Sequence, residues 1–75
     1  MEPAEIRVGY HYTAKIGGRL CVVKVHEIQE NQLLGKTEYF ITNLRTGQNT
    51  YFRSAAKFHQ FIPDNLVQAI ILTYH

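Results

Sequence analysis

Residues 42–58, TNLRTGQNTYFRSAAKF, switch between strand text and turn text within a very short span. Residues 37–42 and 49–53 are rich in Thr, Tyr, Phe and Ile, the types that fit a pleated, half-buried surface. Between them, Asn43 and Thr46 can hydrogen-bond local backbone and Gly47 can take a left-handed conformation, so 43–48 reads as a turn. Strands joined this tightly must run antiparallel. Ser54 followed by Ala55 and Ala56 reads as one capped helical turn of 3₁₀ type. Residues 58–62 then give another short strand. This text demands a meander of short antiparallel strands.

The N-terminal half extends the pattern. Residues 1–5 are polar and read as loose. Over 10–16, Tyr10, Tyr12, Ala14 and Ile16 alternate with His11, Thr13 and Lys15, the period of a half-buried strand. Gly17-Gly18 accepts positive φ and closes a two-residue hairpin. Residues 19–29 form the next strand, with Cys21, Val23 and Val25 on one face. Ile28 falls on the opposite face, so a bulge or bend near His26-Glu27 must re-aim the strand. Residues 30–36 read as a polar loop carrying Gly35 and an exposed Leu33-Leu34 pair. After Pro63 the period changes: Leu66, Val67, Ile70, Ile71 and Tyr74 recur at helical spacing, with Asp64 as N-cap. One domain is expected, with strands over about 8–62 and a helix over about 64–74.

Seventy-five residues leave room for one small core. Cys21 is the only cysteine, so no intrachain disulfide forms, which predicts a reducing, cytoplasmic setting. No basic-then-apolar leader opens the chain, and the apolar run Ala69-Ile70-Ile71-Leu72 is too short to span a bilayer, so no membrane association is expected. Eight Lys and Arg face six Asp and Glu, a net charge of only +2. The distribution is less even. Residues 39–62 contain no Asp or Glu, yet hold Arg45, Arg53 and Lys57.

Five strands, an early glycine hairpin, a bent second strand and a helical turn before the last strand resemble the SH3-like barrels, a group that includes KOW and Tudor modules. The text Gly18-Arg19-Leu20-Cys21-Val22-Val23-Lys24-Val25 followed by a T-N-x-x-T-G turn is also similar to small proteins of bacteria and their phages. The likeness covers roughly residues 8–62, and the C-terminal helix is an addition to the minimal barrel. It implies a mainly β fold, a five-stranded SH3-like barrel with a short C-terminal α-helix, and a binding role of no fixed kind.

The residues argue against catalysis and against a cofactor. His11, His26, His59, His75 and Cys21 lack the local spacing that gathers metal ligands. Cys21 sits in a Val-rich strand as a small core residue. His26 and Glu27 point to opposite strand faces, and Gly17-Gly18 lacks the helix and Lys of a phosphate loop. Two binding classes remain. Nucleic acid, DNA or RNA, is expected on a basic and aromatic strand face: Arg45, Tyr51, Arg53 and Lys57, joined by Lys15. If Phe52 enters the core, Tyr51 and Arg53 must face outward. The rival is a protein-interaction adaptor or phage-type inhibitor. Here Leu66, Val67, Ile70 and Ile71 either plug an open end of their own barrel or form a dimer or partner interface. An aromatic cage from Tyr10, Tyr12, Tyr39 and Tyr51 is a further, minor reading.

Overall fold

A computed structural model describes residues 1–73; Tyr74 and His75, one placed on the helical stripe and the other counted among the histidines, lie outside the described residues. Five strands form one antiparallel sheet: β1 (His11–Ile16), β2 (Arg19–Asn31), β3 (Lys36–Asn43), β4 (Asn49–Phe52) and β5 (Phe58–Ile62). Their spatial order is β4-β3-β2-β1-β5. The described pairings do not close the sheet, and β4 and β5 are its edges. A 3₁₀ turn (Ala55–Lys57) precedes β5, and helix α1 (Asp64–Thr73) follows it.

The local chemistry behaves as the residue types dictate. Gly17 and Gly18 both have positive φ, 60° and 79°, which is the geometry of the tight β1–β2 turn. Ser54 accepts a hydrogen bond from the Ala56 backbone N–H at 3.1 Å and so caps the 3₁₀ turn. In β2 the register with β3 slips between Val25 and Glu27, which leaves His26 as the bulged residue. The extra residue returns Ile28 to the core-facing side, where it pairs with Tyr39 and packs against the core.

Burial follows one face of the sheet. Tyr12, Ala14, Val23, Val25, Ile41 and Phe58 are at most 1 % exposed, with Tyr39 and Ala55 beside them. Phe58 joins this core by edge-on contacts, its ring 5.2 Å from Tyr12, 5.4 Å from Tyr39 and 5.3 Å from Phe52. The sheet therefore curls until side chains from its two edges meet.

Two readings of the sequence change. Residues 1–5 are not loose: Pro3–Glu5 forms a 3₁₀ turn, and Ile6 enters the core at 4 % exposure. The Tyr12 hydroxyl ties this segment down, donating to Glu5 O at 2.8 Å and accepting from Arg7 N at 3.0 Å. Residues 30 and 31 belong to β2 and residue 36 to β3, so the connecting turn is shorter than the polar composition suggested.

Helix α1 packs on β2, and its first residue stands beside β1, with Asp64 Oδ1 3.5 Å from His11 Nδ1. Between these points the outer-face residues Thr13, Val22 and Ile62 are all buried. A face that alternation alone would leave wet thus holds buried residues, and Val67, Ile70 and Ile71 of α1 are half-buried.

Candidate functional site

The β3–β4 turn is built by its own side chains. Asn43 Oδ1 accepts from Arg45 N at 2.9 Å, Asn43 O accepts from Gly47 N at 2.7 Å, and Thr46 Oγ1 accepts from Gln48 N at 3.3 Å. Gly47 has φ of 75°, as the turn requires. This frame leaves Arg45 exposed at one end of the sheet.

The β1–β2 hairpin lies at that same end. Val23 pairs with Asn43, and Leu44 N donates to Val22 O at 3.0 Å, so the chain of Arg45 runs beside the start of β2. Lys15 pairs with Leu20 and Ile16 with Arg19, immediately across the Gly17-Gly18 turn. Lys15, Arg19 and Arg45 are all exposed. The segments that form this end, residues 15–20 and 43–49, contain no Asp or Glu. Arg19 was not among the candidates drawn from the sequence. Its position just after a glycine turn was a usable signal, because a hairpin brings the start of β2 to the same end of the sheet as the end of β1.

Tyr51 and Arg53 form a separate group. Tyr51 faces outward at 43 % exposure while Phe52 turns inward. The Arg53 guanidinium carbon sits 5.5 Å from the centre of the Tyr51 ring, and its Nη2 donates to the Tyr51 hydroxyl at 3.3 Å. The Tyr51 ring also lies 5.9 Å from Phe40. Carboxylates share this face. Phe40 pairs with Glu27 in the sheet, and Glu38 lies two residues before Phe40 on the same side.

The predicted nucleic-acid residues are thus not one groove. Arg45 and Arg53 flank β4 at opposite ends, and four strand residues at about 3.3 Å each hold them more than 10 Å apart. Lys15 and β4 are separated by β2 and β3, and Lys57 stands exposed on its 3₁₀ turn. The four tyrosines do not make a cage either. Tyr12 and Tyr39 are core residues, while Tyr10 pairs with Phe61 at 5.2 Å and Tyr51 stands on the outer face.

The helix residues divide as well. Val67, Ile70 and Ile71 are half-buried, whereas Leu66 is 46 % exposed and Leu72 62 % exposed. Among the described residues no three His, Cys, Asp or Glu side chains come together in a way that could hold a metal ion, and no helix is long and apolar enough to cross a membrane.

Burial is the main cause that pushes the phenols of Tyr12 and Tyr39 above their ordinary value; the Arg7 N–H opposes it at Tyr12, and Glu30 adds to it at Tyr39. Both serve as neutral core groups. No protein-family model, curated protein or solved structure matches this chain.

Proposed function

We propose that the protein is a non-catalytic binding module that contacts the phosphate backbone of nucleic acid through the end of the sheet carrying Lys15, Arg19 and Arg45. One observation carries this reading: three exposed cations on two neighbouring turns, in segments free of carboxylates. Phosphate contacts need positive charge without competing acid and require no deep pocket. Exposed backbone N–H groups of a glycine turn add donors of the kind that meet phosphate oxygens.

Tyr51, Arg53 and Lys57 take a secondary part in this scheme. The Arg53–Tyr51 pair is already a stacked unit, and the neighbouring Glu27 and Glu38 repel a phosphate chain. The curled five-stranded sheet, its bulged second strand and the 3₁₀ turn before the last strand support the SH3-like reading. In that frame β4 and β5 meet through Phe52 and Phe58 rather than through a backbone ladder.

Titration of labelled single-stranded and double-stranded DNA and RNA against the full chain tests the proposal. Binding at low salt that weakens in Lys15→Ala and Arg45→Ala supports it. No binding at low salt removes it.

A further inference from the structure

The turn that carries Arg45 has a hydrogen-bond donor to spare. Asn43 is only 6 % exposed. Its Oδ1 accepts from the Arg45 backbone N–H, which can only donate, so the oxygen and the nitrogen of this amide are told apart. Among the described residues Asn43 Nδ2 has no hydrogen-bond partner. It is not sealed off either, because His11 Nδ1 alone is both unpartnered and closed to solvent among those residues. A donor on a nearly buried side chain, with no acceptor of its own in the fold, is satisfied by whatever enters beside it.

Asn43 lines a cleft of about 420 Å³ together with Ile16, Gln48, Asn49 and Thr50. Asn43 pairs with Val23 and Thr50 with Ile41, both fully buried, so Asn43 and Thr50 stand on the core face of the sheet. Ile16 gives the cleft its aliphatic wall. Gln48 and Thr50 are exposed and bring an amide and a hydroxyl that can each donate or accept. Asn49 turns its side chain to the other face, where Oδ1 accepts from Thr42 Oγ1 at 2.7 Å.

Two cations flank this cleft. Arg45 lies in the turn between Asn43 and Gln48, and Arg19 pairs with Ile16, so it shares the face of Ile16. The interior itself is neutral. Charge at the rim draws phosphates, whereas a neutral donor beside an aliphatic wall and adaptable polar groups suits a nucleobase. Bases of single strands are read in this manner, splayed out and hydrogen-bonded on their edges.

We propose that the cleft seats one uracil or thymine base, with Asn43 Nδ2 donating to the 4-carbonyl and the flanking phosphates on Arg19 and Arg45. The sugar and phosphates stay at the cationic rim, so the edge of the base farthest from the sugar enters first, and that edge carries the 4-position. Uracil and thymine hold a carbonyl there and cytosine an amino group. An amide nitrogen gives a bond to the first and none to the second. The inference rests on the nucleic-acid reading and adds to it a base preference, which phosphate contacts do not supply.

Anisotropy titrations of the full chain with labelled oligomers of dT, rU and dC, equal in length and at one low salt concentration, test the inference. Oligomers of dT and rU are expected to bind about three- to ten-fold more tightly than dC, the worth of one hydrogen bond. Asn43→Asp keeps the acceptor for Arg45 N and replaces the donor with a second acceptor. Its charge weakens every oligomer, but the dT-to-dC ratio is expected to fall to one or invert, because a carboxylate accepts from the cytosine amino group. Circular dichroism checks that the variant folds. On wild type, the Asn43 side-chain amide signals in a ¹H–¹⁵N spectrum are expected to move with dT and far less with dC, a readout that needs no variant. Equal, salt-sensitive affinity for dT, rU and dC would overturn the base site and leave the phosphate reading standing. Absence of binding to all three would overturn both. A folded Asn43→Asp that keeps the wild-type ratio, or Asn43 amide signals unmoved by dT, would overturn the role of Asn43 and with it the proposal.

Discussion

Phe58 and Phe52 belong to strands on opposite edges of the sheet, yet their rings lie 5.3 Å apart in an edge-on contact. No backbone ladder is described between β4 and β5, so aromatic packing holds the curl where hydrogen bonds do not. Phe58 also touches Tyr12 and Tyr39, which makes it the hub of the core. Phe58→Ala should cost about 3–5 kcal/mol. A domain of this size has a total stability of the same order. Urea unfolding is expected to show a largely unfolded variant, with Phe58→Leu retaining a cooperative transition at a lower midpoint.

Tyr12 links that core to the N-terminal segment. Tyr12→Phe leaves the Glu5 carbonyl and the Arg7 N–H without their partner, at a cost of about 1–3 kcal/mol. The phenol has a second signature. Burial raises its pKa above 10.0, so the folded chain holds this proton more tightly than the unfolded chain does. Its contribution is complete below about pH 10 and is lost as pH rises through the folded value. Tyr39 adds to the same alkaline fall. Stability measured against pH should therefore drop on the alkaline side, and less steeply in Tyr12→Phe.

The β3–β4 turn isolates a backbone effect. Gly47 has φ of 75°, and a Cβ added there would meet nothing within 4 Å. Gly47→Ala should therefore cost only the left-handed penalty, about 1–2 kcal/mol. Thermal unfolding is expected to show a lower midpoint with native spectra at room temperature. An unchanged midpoint would contradict the turn geometry.

The strand meander, the two glycine turns, the capped 3₁₀ turn and the bulge at His26 were legible because each follows from local residue chemistry. The bulge is the clearest example: Val25 and Ile28 cannot share a core face at strict period two, and one extra residue reconciles them. The inward turn of Phe52 and outward turn of Tyr51 followed from alternation in the same way. What escaped was tertiary. Thr13 and Val22 lie on the face that period two assigns to solvent, and they are buried near a helix whose docking direction no local pattern encodes. Ile6 escaped because a single apolar residue in polar text has no period. The separation of Arg45 from Arg53 was hidden for a related reason: nearness along the sequence suggested one patch, but an intervening strand carries the two to opposite ends.

The salt dependence of binding to single-stranded nucleic acid tests the account most directly. Three cations on phosphates predict a log–log slope of about −2, since each contact contributes about −0.7 on a single strand. Lys15→Ala, Arg19→Ala and Arg45→Ala should each make the slope shallower by about 0.7, while Arg53→Ala leaves it nearly unchanged. A slope near zero, or one that responds to Arg53 and not to Arg45, would contradict the assignment of the carboxylate-free end as the binding surface.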